Sequence, residues 1–396
     1  VGTGLRLLVA TLVVGCGGRT AVQPVPAPSP LQGRFAAELN ELRDEYGLVG
    51  ATAAYALPDG TLGVAATGMA DLERGTVMTP RSRMLAASVG KTFVAATALA
   101  LAQEGRLELD GRISLWLDDR AWFSRLPNGD SITLRHLLTH TSGLSDHVHS
   151  AEFAADMSRR WRDAERSFSP EELVQYVLDK PPLFPAGEQW AYSDTGYILV
   201  GLVVESVVDR PFFDEVVARF VEPLRLRETQ PSDRRELARL ATGYAGEDNP
   251  LGLPPKTTVA PGVMAWNPAV EWTGGGLVSA PADLVVWARA LYEGKAISGP
   301  YEEELFRSVP VGNDGSGVRY GAGVAIQTST PYGPSYGHGG IIPGYTTSMR
   351  YYPAHRVAVA FQINSDQDLD REGTSVVQEM EKRLAGVVVA SLGHAP

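Results

Sequence analysis

Apolar positions recur at helical spacing where the folded part of the chain begins. Leu31, Phe35, Leu39, Leu42 and Tyr46 lie three or four residues apart and predict an amphipathic helix. Two short β-prone runs follow, Val49–Leu57 and Thr61–Thr67, separated by the turn residues Pro58-Asp59-Gly60, which together predict a hairpin. An alanine-rich stretch from Ser88 to Glu104 reads as a second helix. From there to about Trp272 the pattern is mostly helical, punctuated by Pro181-Pro182, Pro185 and Pro254-Pro255. Strand character returns at Gly321–Gln327, Tyr345–Tyr352 and Val357–Ile363, and Ser375–Val388 closes the pattern as a helix. Strands at both ends of a helical middle predict an α+β sandwich. Its antiparallel sheet is built from both chain ends, flanked by helices, with a large helical insertion. No internal repeat or heptad pattern interrupts this order.

At about 150 residues per domain, 396 residues correspond to roughly two to three units. The order of the pattern reduces that to one two-lobed domain over 31–396, with a sheet lobe near 31–105 and 275–396 and a helical lobe near 106–274. Ahead of it, Arg6 and the mostly apolar run Leu7–Val14 fit a secretory signal and are too short to cross a bilayer, which needs about 20 residues. Gly15 directly before Cys16 resembles a bacterial lipoprotein signal. That resemblance implies a signal peptide over 1–15, lipid on the Cys16 sulfur, and export to a periplasmic or cell-surface membrane. Pro24, Pro26, Pro28 and Pro30 make 16–30 a semi-rigid spacer. Cys16 is the single cysteine, which excludes an internal disulfide framework. The net charge of −11, without a basic run, argues against nucleic acid as a partner. Charge leaves the reaction open.

Three short constellations carry candidate chemistry. Ser88 and Lys91 are three apart and would share a helix face, placing an amine beside a hydroxyl that needs a base to become a nucleophile. Alone, the pair also reads as a capping serine and an exposed lysine. Tyr192, in Tyr192-Ser193-Asp194, is a phenol that a nearby cation could turn into a base; alone, it reads equally as packed core. His338-Gly339-Gly340, in a late β-like run, leaves backbone bare where a substrate could approach the strand edge and an N–H could serve an oxyanion hole, or forms a tight turn.

Together the three resemble the serine β-lactamase and penicillin-binding protein family, nearest its class C branch with the related esterases and D-amino-acid peptidases. The resemblance covers roughly 32–390. It includes Ile132-Thr133-Leu134-Arg135-His136-Leu137-Leu138-Thr139-His140-Thr141-Ser142-Gly143-Leu144, Glu222-Pro223-Leu224-Arg225-Leu226 and Gly274-Gly275-Gly276-Leu277-Val278-Ser279. It implies a serine hydrolase that needs no cofactor and acts on a small-molecule or peptide substrate. Ser88 would form the acyl-enzyme, and Lys91 and Tyr192 would share the proton. The backbone N–H groups of Ser88 and Ile341 would bind the oxyanion, while Asp194, His338, Gly339 and Gly340 would line the substrate site. His338 stands where many relatives carry lysine; either could face a substrate carboxylate, a neutral histidine less strongly. Asp194 replaces the family's asparagine. A carboxylate accepts hydrogen bonds but donates none, and it favours a charged Lys91. Both effects point to an esterase or peptidase-like activity over efficient β-lactam hydrolysis. The non-enzymatic alternative is a slow, penicillin-binding surface lipoprotein that holds a ligand or peptidoglycan peptide.

Four further patterns fail on context. Gly90-Lys91-Thr92 lacks the earlier glycine of a phosphate loop, since Leu85 stands there. Gly333-Pro334-Ser335-Tyr336-Gly337 matches a nucleophile elbow, but the segment after it is poor helix material. Glu222-Pro223-Leu224 lacks the asparagine of a class A deacylation motif. His147-Val148-His149 reads as loop in preference to a metal site.

Overall fold

The computed structural model describes residues 1–2, 29–163, 165–247, 249–312, 317–371 and 373–393. Cys16 and the signal-like run therefore lie outside the described residues. Among the described residues, no helix is long and apolar enough to cross a membrane.

The first helix, Pro30–Tyr46, starts where Ser29 accepts a hydrogen bond from the Gln32 amide at 3.2 Å and Pro30 occupies the first turn. It ends at Gly47, whose φ of 63° is the left-handed conformation glycine adopts cheaply. The Pro58-Asp59-Gly60 turn is as expected: the Thr61 amide donates to Asp59 Oδ1 at 2.8 Å, joining Gly50–Ala56 to Leu62–Asp71 in antiparallel register. The central sheet is nine-stranded and antiparallel between all neighbours. Its order is Thr76–Val77, Leu62–Asp71, Gly50–Ala56, Val357–Ile363, Tyr345–Tyr352, Ser335–Ile342, Ala325–Gln327, Val318–Tyr320, Val309–Pro310. The first long strand pairs with the last, from Ala51 opposite Ile363 to Ala56 opposite Ala358, so both chain ends do build one sheet.

Both faces of the sheet are covered, which explains why its central strands are apolar on alternate and intervening positions alike. Ala51, Ala53, Tyr55, Val359 and Phe361 pack against Phe35, Leu39 and Leu42 of the first helix and Met380, Leu384 and Val388 of the last helix, Val376–Ala390. Burying each of those large side chains contributes roughly 1.5–3 kcal/mol. The opposite face, including Ala54, Ala358 and Ala360, joins a buried cluster that continues through the alanine-rich helix Lys91–Gln103 into the helical middle. Alanine suits that helix because its residues from Lys91 to Leu99 are all buried, with Phe93 stacked on Trp287 at 3.9 Å.

Three details differ from the sequence pattern. The alanine-rich helix begins at Lys91, with Ser88 on a separate 3-10 turn, Ala87–Gly90. The β-like run at His338-Gly339-Gly340 extends to a full strand, Ser335–Ile342, despite three glycines. The helical middle and its C-terminal border carry short strands, among them Gln230–Pro231 and Leu277–Ser279, which pair with each other.

Candidate active site

The turn that carries Ser88, the expected nucleophile, is defined by close backbone packing. Ala87 has φ +47°, a strained value for a residue with a side chain, costing of order 1–3 kcal/mol. A Cβ on Gly90 would lie 1.7 Å from the Gly275 carbonyl oxygen, so only glycine permits that contact. A Cβ on Gly340 would lie 2.4 Å from the Ala86 oxygen and 3.0 Å from the Ser88 nitrogen; this strand residue therefore passes directly over the turn. Gly339 meets no comparable crowding, its nearest neighbour being the Thr347 oxygen at 3.9 Å.

Ser88 makes no capping bond. Its Oγ accepts from Lys91 Nζ at 3.0 Å and from the Tyr192 hydroxyl at 2.8 Å, so the structure brings these three side chains together. Lys91 is wholly buried, contrary to its bland reading as an exposed lysine. Its other donors go to the Asp194 carboxylate and the Gly274 carbonyl. Burial alone would depress its pKa, but the charge on Asp194 and the Tyr192 phenol more than reverse this, so Lys91 stays protonated. Tyr192 is pushed up to about 12, because burial and Asp194 outweigh the attraction of Lys91. Neither group is a ready base while Asp194 holds Lys91 charged.

His140 positions Tyr192. Its carbonyl accepts from the Ala191 amide at 3.0 Å and its Nδ1 from the Ser193 amide at 3.2 Å, bracketing the tyrosine, whose ring lies 4.2 Å from the imidazole. Burial and then the Lys91 charge hold the His140 pKa well below the usual imidazole value. His140 was visible in the Ile132–Leu144 signature, but this role depends on a chain segment about 50 residues away. Asp194 begins the helix Asp194–Val208, capped by Ser193, whose Oγ accepts from the Gly196 amide at 3.2 Å.

His338 is placed differently from a carboxylate-facing residue. It is 5% exposed, its Nδ1 donates to the Gly339 carbonyl, and its Nε2 accepts from the Tyr320 hydroxyl at 2.8 Å. Burial first, and the Lys91 charge second, lower its pKa to about 3. A neutral imidazole with both nitrogens engaged has no free donor for an anion.

Beside Ser88 opens a cavity of about 110 Å³, walled by apolar side chains such as Phe153, Met157, Leu251, Leu253, Trp266 and Val270. Ile341, 62% exposed, borders it, which puts the residue after Gly340 next to the nucleophile. Among the described residues, Asp194, His147 and Glu271 supply its polar side chains besides Ser88, and no lysine or arginine lines it. His147 is buried, its Nδ1 is 3.0 Å from Thr195 Oγ1, and burial lowers its pKa to about 4. Sequence reasoning missed Glu271 altogether and treated His147 as loop; neither carries a local motif. Ser335 is buried within its strand and donates to Gln327 Oε1 at 2.9 Å, which removes it as an elbow nucleophile.

Comparison with known proteins agrees with this geometry. The family described as Beta-lactamase matches residues 35–379. The chain is 28% identical to penicillin-binding protein 4* of Bacillus subtilis over 330 residues, 81% of this chain and 68% of that one. It is 33% identical to the esterase EstB of Burkholderia gladioli over 204 residues, about half of each chain (50% and 51%). Its fold is similar to that of a D-amino acid amidase from Ochrobactrum anthropi SV3, solved in complex with L-phenylalanine amide. That match has a TM-score of 0.77 and 25% identity, and covers 92% of this chain and 100% of that one. A D-stereospecific amidohydrolase from Streptomyces sp. matches with a TM-score of 0.71 and 26% identity, covering 85% and 94%. A serine–lysine–tyrosine cluster on this sheet-and-helix frame, with a family match spanning most of the sequence, places the chain in the beta-lactamase family of serine hydrolases.

Proposed function

We propose that the protein hydrolyses a small ester or amide through an acyl-enzyme on Ser88, in preference to β-lactams or substrates bearing a carboxylate. The observation that carries this reading is the Ser88 Oγ held 3.0 Å from Lys91 Nζ and 2.8 Å from the Tyr192 hydroxyl. Once the Lys91–Tyr192 pair, which titrates as a unit, has lost one proton to solvent, it takes the Ser88 hydroxyl proton as Oγ bonds to the substrate carbonyl carbon. The pair returns that proton to the departing alcohol or amine when the C–O or C–N bond breaks. Water then attacks the acyl carbon, gives a proton to the same pair, and releases the acid while Ser88 is reprotonated. The Ser88 and Ile341 amides are the proposed oxyanion donors. Against anionic substrates stand Asp194, the neutral and engaged His338, and a cavity without lysine or arginine.

The test is turnover of short-chain nitrophenyl esters, nitrocefin and D-amino-acid amides, each with a Ser88→Ala control. Ester or amide turnover that vanishes in Ser88→Ala is expected; nitrocefin turnover matching the best ester would overturn the substrate assignment. Because Asp194 holds Lys91 charged, a slow ligand-holding protein is the second reading, and a persistent adduct with a fluorophosphonate or penicillin probe would favour it. For the N-terminal segment we propose export and lipid attachment at Cys16, supported by Arg6, the run Leu7–Val14 and Gly15. Unchanged membrane fractionation of Cys16→Ser would end that proposal.

A further inference from the structure

Glu271 is the one polar group of the cavity without an evident task. It lines the same space as Ser88 and Asp194. The residue as a whole is partly exposed, yet its Oε2 is buried and has no hydrogen-bond partner. Its Oε1 lies against the nucleophile turn: a Cβ on Gly275 would be 2.5 Å from that oxygen and 2.8 Å from the Ala87 carbonyl. A buried carboxyl oxygen with no donor is expensive, and such groups in folded proteins usually have a partner that arrives from elsewhere. The local charge balance says which partner. Lys91 already spends its donors on Ser88, Asp194 and Gly274, so it leaves none for Glu271. Burial, only partly offset by Lys91, pushes the Glu271 pKa up to about 8, so the carboxyl keeps its proton near pH 7 until a cation placed beside it favours the charged form.

Resting on the reading of the protein as a Ser88 hydrolase, we propose that Glu271 determines acyl specificity. Its carboxyl receives a primary ammonium carried on the acyl part of the substrate, while a compact apolar side chain on the same acyl group fills the cavity between Phe153, Met157, Leu253 and Trp266. An ammonium supplies both the missing donor and the missing charge, and the apolar walls exclude the water that would screen the pair. A carboxylate in the same place would meet Glu271 and Asp194 with no cation free to answer it.

The experiment compares phenylalanyl p-nitroanilide, both enantiomers, with 3-phenylpropionyl p-nitroanilide, which lacks only the amine. The wild-type protein is expected to favour the better amino enantiomer at least tenfold in kcat/KM, and Glu271→Gln to reduce that ratio at least fivefold. A purely structural role would lower both rates and leave the ratio in place, which would overturn the proposal, as would a wild-type ratio near one. Calorimetry on Ser88→Ala protein, with phenylalanine amide against 3-phenylpropanamide, reads the subsite without turnover and does not depend on the Glu271 variant folding. At least tenfold tighter binding of the amine is expected, and equal binding overturns the proposal. Selective binding with no Ser88-dependent turnover would defeat the hydrolase reading alone. Ser88-dependent turnover without selectivity would defeat the subsite alone.

Discussion

Replacing Asp194 with asparagine tests the electrostatics of the site most directly. The substitution keeps an oxygen that can accept from Lys91 Nζ and removes the charge that keeps Lys91 protonated. Two unit charges about 4 Å apart at an effective dielectric near 20 interact by about 4 kcal/mol, or about 3 pKa units. The Asp194 side chain is 19% exposed, so solvent screens part of this, and a fall of roughly 2 units is the working value. Tyr192 moves the same way, since Asp194 is one of the influences raising it. Both members of the proton-accepting pair therefore become better bases. The assay is kcat/KM for a neutral nitrophenyl ester from pH 6 to 10.5. Asp194→Asn should shift the alkaline rise to lower pH by about 2 units and raise the rate near pH 8 by roughly tenfold or more. Stability should answer with the opposite sign at neutral pH. In the wild type the folded pKa of Lys91 is raised, so its contribution is present below the unfolded value near 10.5 and lost above the folded one. In the variant the same fall of roughly 2 units shrinks that contribution, so its stability at neutral pH should be lower than that of the wild type. Superimposable pH–rate profiles, or a shift to higher pH, would refute the idea that Asp194 restrains the base.

Tyr192→Phe removes the hydroxyl 2.8 Å from Ser88 and should lower kcat by about 10²–10⁴-fold while KM stays within about threefold, read from steady-state ester kinetics. Gly340→Ala would place a Cβ 2.4 Å from the Ala86 oxygen, so the strand must move off the turn. Urea melts should show a loss of about 1–3 kcal/mol, and kcat/KM should fall at least tenfold. The pKa of Glu271, pushed up to about 8 by burial, lies above its unfolded value, so its contribution to stability is present at pH 4 and lost as pH rises toward 8. Urea melts from pH 4 to 9 should show a shallower decline for Glu271→Gln than for wild type. Asp146, raised to about 7 by burial and then by Asp194, keeps a residual slope.

What could be read from the sequence divides by distance along the chain. Ser88 and Lys91 are one turn apart, so their meeting follows from local geometry, and Tyr192 and Gly340 join them through motifs whose order is itself informative. His338 could be located but not oriented. Its partner Tyr320 lies 18 residues away on a strand of only three residues, and nothing nearby in sequence announces that the phenol will occupy Nε2. The β-like character around His338 is legible, but the full extent Ser335–Ile342 is obscured because Gly337, Gly339 and Gly340 depress strand propensity. Packing explains two of them: a Cβ on Gly337 would lie 1.9 Å from the Met349 oxygen, and Gly340 is pressed onto the nucleophile turn.

Glu271 is illegible for a deeper reason, and the glycines show it. Gly90 meets Gly275, Gly275 meets Ala87 and the Glu271 carboxyl, and Gly340 meets Ala86 and the Ser88 nitrogen. Segments nearly 190 and 250 residues from the turn thus converge on five consecutive residues through backbone contacts that no side-chain pattern encodes. Local motifs point to Ser88, Lys91 and Tyr192. The acyl subsite is made by whatever side chains those converging segments carry to the turn. On this view Glu271 acts on specificity from the Gly275 segment, coupled to Lys91 through charge and, among the described residues, without a hydrogen bond to Ser88, Lys91 or Tyr192. Substrate preference in this protein would then be set by a segment remote in sequence from Ser88.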